Sequence, residues 1–481
     1  MIKRALSLLL LAGASGVGGQ DRALAEPGSV ALVGGTIIDG TGGPPLANAT
    51  LVVIDGRIAA VGPREEVAIP AGVRRLDVAG RFITPGFIDA NVHLTPYNSF
   101  DEFRGPDSLL VLAALQGAHE MAAHGITTIR DTYGYLAPLV EARRRLAAEG
   151  GATLLVAGNV IGWGGPWSFS FTGSTGAQPP SDYARDVRDN FVLGMGENLV
   201  DLSPDSLSGL LNKYLDRGVD FAKLGVTTHF ERPAYLLFSP RAIEAMVATV
   251  HAHGKKVDAH AGTVEALRIA ALAGVDVLQH PEIVGGGHIP RELADSLSAR
   301  RTVCAMMPAR LTGAVWARFQ AHLALGGTMW PAELPPAAVA ARADSLKLAG
   351  IDPRTRPRTV SVTRFQNQRA NAELLIRAGC TIAVSSDDLV SSPSSATHHE
   401  MGNVFLSAVE GLVEEGMTPA SALVAATQNG AIAAGRDTEV GTVAIGKQAD
   451  LAVLNRDPLG DIHNIRDLAF VVIRGRVVQP H

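Results

Sequence analysis

Apolar and polar positions along the chain fall into two textures. Near the start, "VALVGGTIIDG", "ATLVVIDGRIAAVG" and "RRLDVAGRFITPG" are short alternating or apolar runs, broken by Gly, Asp-Gly and Pro. That is the pattern of β-hairpins. The same texture returns at the far end in "GTVAIGKQADLAVLN" and "LAFVVIRGRVV". Two β segments that flank the middle of a chain can pair, and they predict one small β-sandwich domain built from both chain ends, residues 28–82 and 438–481. Between them, strand-length apolar runs alternate with Ala- and Leu-rich amphipathic stretches such as "DSLLVLAALQGAHEMAAHG" and "PRAIEAMVATVHAHG". The runs are "FIDANVHL", "ITTIRDT", "TLLVAGNVI", "FAKLGV", "KVDAHAG", "VDVLQHPE", "RTVCAMMPA" and "CTIAVSSD". Their number and order predict an α/β fold, a (β/α)8 TIM barrel over residues 83–437.

A barrel of this kind carries its chemistry at the C-terminal ends of its strands. The polar residues of the apolar runs follow that rule: His93 ends the first, Lys223 lies in the fourth, His260 and His280 end the fifth and sixth, and Asp387 ends the eighth. A lone charge or imidazole in an apolar strand is costly unless it is paired or bound to a metal. Five such groups converging on one mouth argue for an ion. Asn91 and His93 are two apart on one strand and so face the same way. Two histidines at that spacing can grip one ion; here an asparagine takes the first place.

At these residues the chain resembles the metal-dependent amidohydrolase superfamily, most closely its imidazolonepropionase-like and prolidase-like branches. The resemblance runs from "VGGTIIDGTGGPPLANATLVVIDGRIAAVG" through "TPGFIDANVHL" and "GITTIRDT" to "TPASALVAATQNGAIAAG" and "GTVAIGKQADLAVLNRDPLGDI". It implies one or two divalent metal ions, zinc foremost. His260 and His280 are then ligands of one ion, His93 and Asp387 of the other, and Lys223 bridges them as a carbamate. The modification is needed because an ammonium has donors only, whereas a carbamate is an anionic oxygen ligand. The resemblance implies hydrolysis of a C–N bond in a small molecule: an amide, a cyclic amide or a dipeptide-like bond. A divalent ion lowers the pKa of its water towards ~7 and polarises the carbonyl. Asp387 is the implied general acid/base, moving the proton from water to the leaving nitrogen.

Asn91 departs from the superfamily pattern. An amide oxygen is neutral and a weaker ligand for zinc than imidazole. Three outcomes are open: Asn91 as a weak ligand or water anchor in a two-ion site, a one-ion enzyme, or a catalytically silent, ligand-binding barrel. A lactone or ester hydrolase is the alternative on the same site. Serine chemistry has no support, since neither G-x-S-x-G nor S-x-x-K occurs.

Other residues take lesser roles. Asp131 in "RDT" is expected to support the site through hydrogen bonds. His229, beyond Lys223, is a candidate for substrate contact, as are Trp163 and Trp167 in "GWGGPWSFSFTGSTG", read as a mobile aromatic wall. His398 and His399 lie near the expected pocket, whereas His251 and His253 end a helix before the fifth run and read as surface or capping residues. A long insertion near residues 311–358 reads as a lid or an oligomer contact, which leaves a homo-oligomer open.

Composition narrows the partners. A net charge of -5 and scattered basic residues give no reason to expect nucleic acid, so a small-molecule substrate fits better. At the N-terminus, Lys3 and Arg4 precede "ALSLLLLAGASGV", and "ALA" at Ala23–Ala25 offers a cleavage site. Residues 1–25 therefore read as a signal peptide of a periplasmic or secreted protein. The apolar run is shorter than the ~20 residues that span a bilayer, so no stable membrane insertion is expected after cleavage. Cys304 and Cys380 are the two cysteines and lie in apolar runs, which suits buried thiols.

Overall fold

The computed structural model describes residues 28–95, 107–163, 199–229, 234–331, 359–391 and 399–479. The first part is all strand: β1 Val30–Ile37, β2 Leu46–Ile54, β3 Arg57–Pro63, β4 Arg74–Asp77 and β5 Phe82–Pro85. The Asp-Gly signal does what it promises: Asp55 and Gly56, both at positive φ, turn β2 into antiparallel β3. β4 and β5 both run parallel to β1, one on each half of it.

The middle of the chain supplies β6 Phe87–His93, β7 Ile126–Asp131, β8 Thr153–Val156, β9 Ala222–Gly225, β10 Val257–His260, β11 Val277–Gln279 and β12 Val303–Met306. A short antiparallel pair, β13 Met329–Pro331 and β14 Thr359–Ser361, comes next, then β15 Thr381–Val384 and β16 Asp388–Leu389. Helices join these strands where Ser or Thr caps were available. Ser203, Ser239 and Thr418 each accept a backbone N–H of the helix they open, with Pro at the first helical turn.

Apart from β13 and β14, these strands form two parallel sheets, in the orders β16-β6-β7-β8 and β15-β12-β11-β10-β9. The closed ring expected from the sequence is thus seen as two sheets, and the reason lies at their borders. At one, the Asp220 carboxylate takes the Val156 N–H at 2.8 Å, and ladder contact resumes only at a parallel bridge between Ile161 and Leu224. At the other, Asp89 accepts from the Ser386 N–H at 3.1 Å and Oγ at 2.6 Å. There the chain leaving β15 crosses to β6, where Asp387 N–H donates to Asn91 O at 2.8 Å and Asp388 pairs with Val92.

The chain ends on β17 Leu451–Leu454, β18 Leu468–Ile473 and β19 Arg476–Val478. β17 lies antiparallel to β5, so one eight-stranded sheet, β19-β18-β17-β5-β1-β2-β3 with β4 beside β1, contains both chain ends. Its own core joins Leu32, Leu51, Ile58 and Ile83 to Leu451, Val453 and Val472. A larger core packs the helices on the parallel strands.

In the interior beneath the site, Arg130 makes a bidentate pair with Asp258 at 2.8 and 3.0 Å, both fully buried. Gln279 also donates to Asp258, and Arg130 and Gln279 share the Ala90 carbonyl. Cys304 and Cys380 are free and buried. Among the described residues no helix is long and apolar enough to cross a membrane.

Candidate functional site

The residues singled out in the sequence come together at the C-terminal ends of the parallel strands. His93 closes β6; its Nδ1 faces the Tyr133 carbonyl at 3.2 Å, and its Nε2 lies 3.1 Å from Asp387 Oδ1. Asn91 Nδ2 donates to the same Oδ1 at 2.9 Å. On its other side the Asn91 amide oxygen accepts from Thr132 Oγ1. Thr132 Oγ1 in turn accepts from Lys223 Nζ at 2.9 Å. The donors therefore run in one direction, from Lys223 through Thr132 and Asn91 to Asp387.

Strand ends are less regular than the sequence indicated. β11 stops at Gln279 and β15 at Val384, so His280 and Asp387 lie just past their strands. Both have left-handed backbones, φ 38° and 48°, which non-glycine residues adopt at a cost that functional sites often carry. Asp388 pairs with β6, and its carboxylate takes His399 Nε2 at 2.9 and 3.0 Å.

Electrostatics assign the charge states. Burial pushes His93 and His260 below the ordinary histidine range and His280 down to about 4, so the three imidazoles are neutral near pH 7. For Asp387 burial acts upward but is outweighed by the His93 hydrogen bond and the charge of Arg310, which hold it well below the usual carboxylate range. Burial lowers the Lys223 ammonium, against the pull of Asp387, Asp258 and Asp131. Asp131 is pushed up to about 8 by burial; its Oδ2 accepts the Leu94 N–H at 2.6 Å and so supports the backbone beside His93.

His260 and His280 touch, Nδ1 to Nε2, at 3.2 Å. Trp163 and His229 pack against His260 at ring distances of 4.8 and 5.1 Å. Trp163 is buried, and its indole N–H donates to Thr227 O at 3.0 Å, so it is a fixed wall of the site rather than a mobile one. Trp167 and His398 lie outside the described residues. His251 and His253 are exposed and bind Asp276 and Asn212, far from this chemistry in role. The described part of the long insertion is packed: its Phe319 and Trp316 lie against Phe365 of the helix Val362–Arg377, whose Arg369 lies over Trp316 at 4.4 Å.

The donor set can be tested for a metal ion. Among the described residues no three His, Cys, Asp or Glu side chains gather as a metal-binding group. The donors come instead as two pairs, His93 with Asp387 and His260 with His280. His260 Nε2 is buried and without a hydrogen bond, and when Nδ1 carries the ring proton and donates to His280 this nitrogen presents a lone pair that an ion can take. With Lys223 converted to an anionic oxygen donor, the His260 and His280 side reaches three donors and fits an ion. The Asn91 oxygen is engaged by Thr132, which places the amide in support of Asp387.

Two participants were not foreseen. Thr132 follows Asp131 in the "RDT" run but carried no mark of its own. Arg310 closes a short 3-10 turn after β12, Pro308–Arg310, and its Nη2 lies 3.3 Å from Asp387 Oδ2. No periodicity or spacing singles out either one.

The amidohydrolase family profile matches residues 82–478. The chain belongs to the amidohydrolase family. The imidazolonepropionase of Symbiobacterium thermophilum is 26% identical over 94% of this chain and 98% of that protein. A 5-methylthioadenosine/S-adenosylhomocysteine deaminase of the same organism is 31% identical over 28% of this chain, a match spanning 34% of that relative's length. Among solved structures, molinate hydrolase superposes with a TM-score of 0.78 at 27% identity, covering 94% of this chain and 95% of that one. Phenylurea hydrolase B superposes with 0.77 at 28%, covering 94% and 97%.

Proposed function

We propose that this family member, an enzyme that hydrolyses C–N bonds, acts on an amide, cyclic amide or dipeptide-like bond of a small molecule. The relatives support the bond class: over more than nine-tenths of the chain it is similar to a molinate hydrolase, a phenylurea hydrolase and an imidazolonepropionase. The observation that carries the reading is Asp387, an ionised carboxylate fixed on Oδ1 by both His93 and Asn91 among neutral histidines. We read the two parallel sheets as one (β/α)8 barrel over 83–437, flanked by a β-sandwich of 28–82 and 438–481. Residues 1–25 are read as a removed signal peptide, which puts the mature enzyme in the periplasm or outside the cell.

His260, His280 and Lys223 as a carbamate would hold a divalent ion, zinc foremost, which would supply Lewis acidity for the carbonyl and for water. The rest is done by side chains. Asp387 accepts the proton of the attacking water and returns it to the leaving nitrogen, a role for which it must start ionised. His93 and Asn91 keep the carboxylate oriented during both transfers. Burial holds Lys223 towards its neutral amine, the form that adds to carbon dioxide, while Thr132 holds its Nζ in place. Trp163 and His229 flank His260 as packed rings and so hold its imidazole in place.

The reading is tested by metal analysis of the mature protein beside a panel of N-acyl amino acids, dipeptides and lactones. Expected are about one tightly held ion per chain and turnover of amides above lactones, with Lys223→Ala losing both metal and turnover. A protein that stays metal-free and inactive after metal and bicarbonate are supplied would be a silent, ligand-binding barrel instead. Faster lactone cleavage would make it an esterase on the same residues.

A further inference from the structure

A cavity of about 430 Å³ opens at the N-terminal ends of β10, β11 and β12, the ends opposite His260 and His280. Lys256, Asp276 and Thr302, the residues just before those three strands, line it together with Arg300 and Arg301. Three cations and one acid therefore share the lining, and the acid is already spent. Asp276 Oδ1 accepts from Lys256 Nζ at 2.8 Å, while its Oδ2 accepts the Val257 N–H at 2.9 Å and lies 2.8 Å from His251 Nε2. Two guanidiniums are left over. Arg300 and Arg301 are exposed, and among the described residues neither side chain has a hydrogen bond or an ion pair.

Arginines at the end of a helix commonly serve its unpaired carbonyls. Here backbone N–H groups have taken them. At the end of the helix Arg291–Arg300, the Arg301 N–H reaches Leu297 O and Ser298 O, and the Thr302 N–H adds a bond to Leu297 O at 3.1 Å. At the neighbouring helix Val264–Leu272, the Ala270 and Ala271 carbonyls accept from the Val275 and Gly274 N–H groups. Arg301 also holds a left-handed backbone, φ 57°, where glycine rests without strain and a larger residue does not. Its side chain thus occupies a costly position and has no partner in the fold. Two guanidinium forks are matched by the several oxygens of one phosphate, whereas a carboxylate has oxygens for one fork only.

We propose that this cavity is a second binding site, which takes a phosphate group between Arg300 and Arg301. The cavity is larger than one phosphate ion fills, and Val303 and Ile432 add apolar lining beside the charges, which favours a small organic phosphate over the free ion. The site stands apart from the hydrolase reading: Lys256 and Asp276 sit at the far ends of the strands that carry His260 and lead to His280.

Calorimetry on the metal-replete protein at about 0.15 M salt, with phenyl phosphate, inorganic phosphate and benzoate as probes, tests this. Phenyl phosphate should bind with a Kd below about 1 mM, and benzoate at least about tenfold more weakly. Inorganic phosphate held as tightly as the ester would make the free ion the ligand of the same site; tighter binding of the ester would make it an organic phosphate. Replacing both arginines, Arg300→Gln with Arg301→Gly, should weaken phenyl phosphate at least about tenfold and leave the metal content unchanged. Glycine relieves the left-handed strain, so Arg301→Gly alone should unfold at an equal or higher urea concentration, and its loss of binding is then not a loss of fold. Phosphate bound equally by the wild type and the double variant would place it at the metal donors and overturn the proposal. Benzoate held as tightly as the ester, or no binding by the wild type, would overturn it as well.

Discussion

At the scale of single residues, the asparagine in the place of a histidine is accounted for by the groups on either side of it. Asn91 gives an N–H to Asp387 and an oxygen to Thr132, and Thr132 passes the chain on to Lys223. An amide, being both donor and acceptor, completes this run without a change of protonation. Thr132→Val keeps the shape and removes the hydroxyl, leaving the Asn91 oxygen and the Lys223 amine unsatisfied in the interior. Each such group costs about 1–3 kcal/mol, so the variant should unfold at clearly lower urea and hold less metal. An unchanged midpoint and full metal content would mean that Asn91 and Lys223 do not depend on Thr132. Asn91 and Lys223 were legible from their strand positions; Thr132 was not, because its importance comes from a neighbour on another strand.

Elements raise a different matter, how two sheets are held as one body. Their borders are stitched in part by carboxylates, Asp89 onto Ser386 and Asp220 onto Val156, where ladder bonds are missing. Across the interior, Arg130 of β7 and Gln279 of β11 meet Asp258 of β10 and the Ala90 carbonyl of β6. A buried pair of this kind is costly to break because the remaining charge has no solvent. Arg130→Met should lose about 3–5 kcal/mol, and adding Asp258→Leu should recover much of it, both read by urea unfolding. If the double variant were no better than the single, the pair would not be the cause of the loss. The strand runs themselves were readable: "FIDANVHL" became β6 and "KVDAHAG" became β10. Their ends were not, since the left-handed turns at His280 and Asp387 are imposed by what each must face.

For the whole molecule, buried acids tie stability to pH. Glu415 is buried at the end of the helix Asn403–Glu414, with neither carboxyl oxygen hydrogen-bonded. Burial, helped by the charge of Glu282, raises it well above the ordinary glutamate range. An acid raised in the folded state favours folding most fully below its unfolded pKa, about 4.3, and that contribution is lost as pH rises through the folded value. Glu415→Gln removes the loss. The variant should match the wild type near pH 4 and exceed it progressively towards pH 8, by about 1.4 kcal/mol per unit of pKa shift relieved. Urea midpoints at both pH values measure this, and a gap independent of pH would show that Glu415 is ionised in the fold at no cost.

By itself the sequence determined the periodic features: hairpin texture at both ends, alternating strands and helices between, and polar residues at strand ends. These are local, because a side-chain period and an Asp-Gly turn act within a few residues. It also marked His93, Lys223, His260, His280 and Asp387, since an isolated polar group in an apolar run needs a reason wherever it folds. Tertiary structure alone decided the rest. Pairing of β17 with β5 joins residues more than 360 apart, and the guanidinium of Arg310 comes beside Asp387 from a turn with no pattern. Such contacts depend on where different strands bring their ends together, and no spacing along a single strand encodes the distance between two of them.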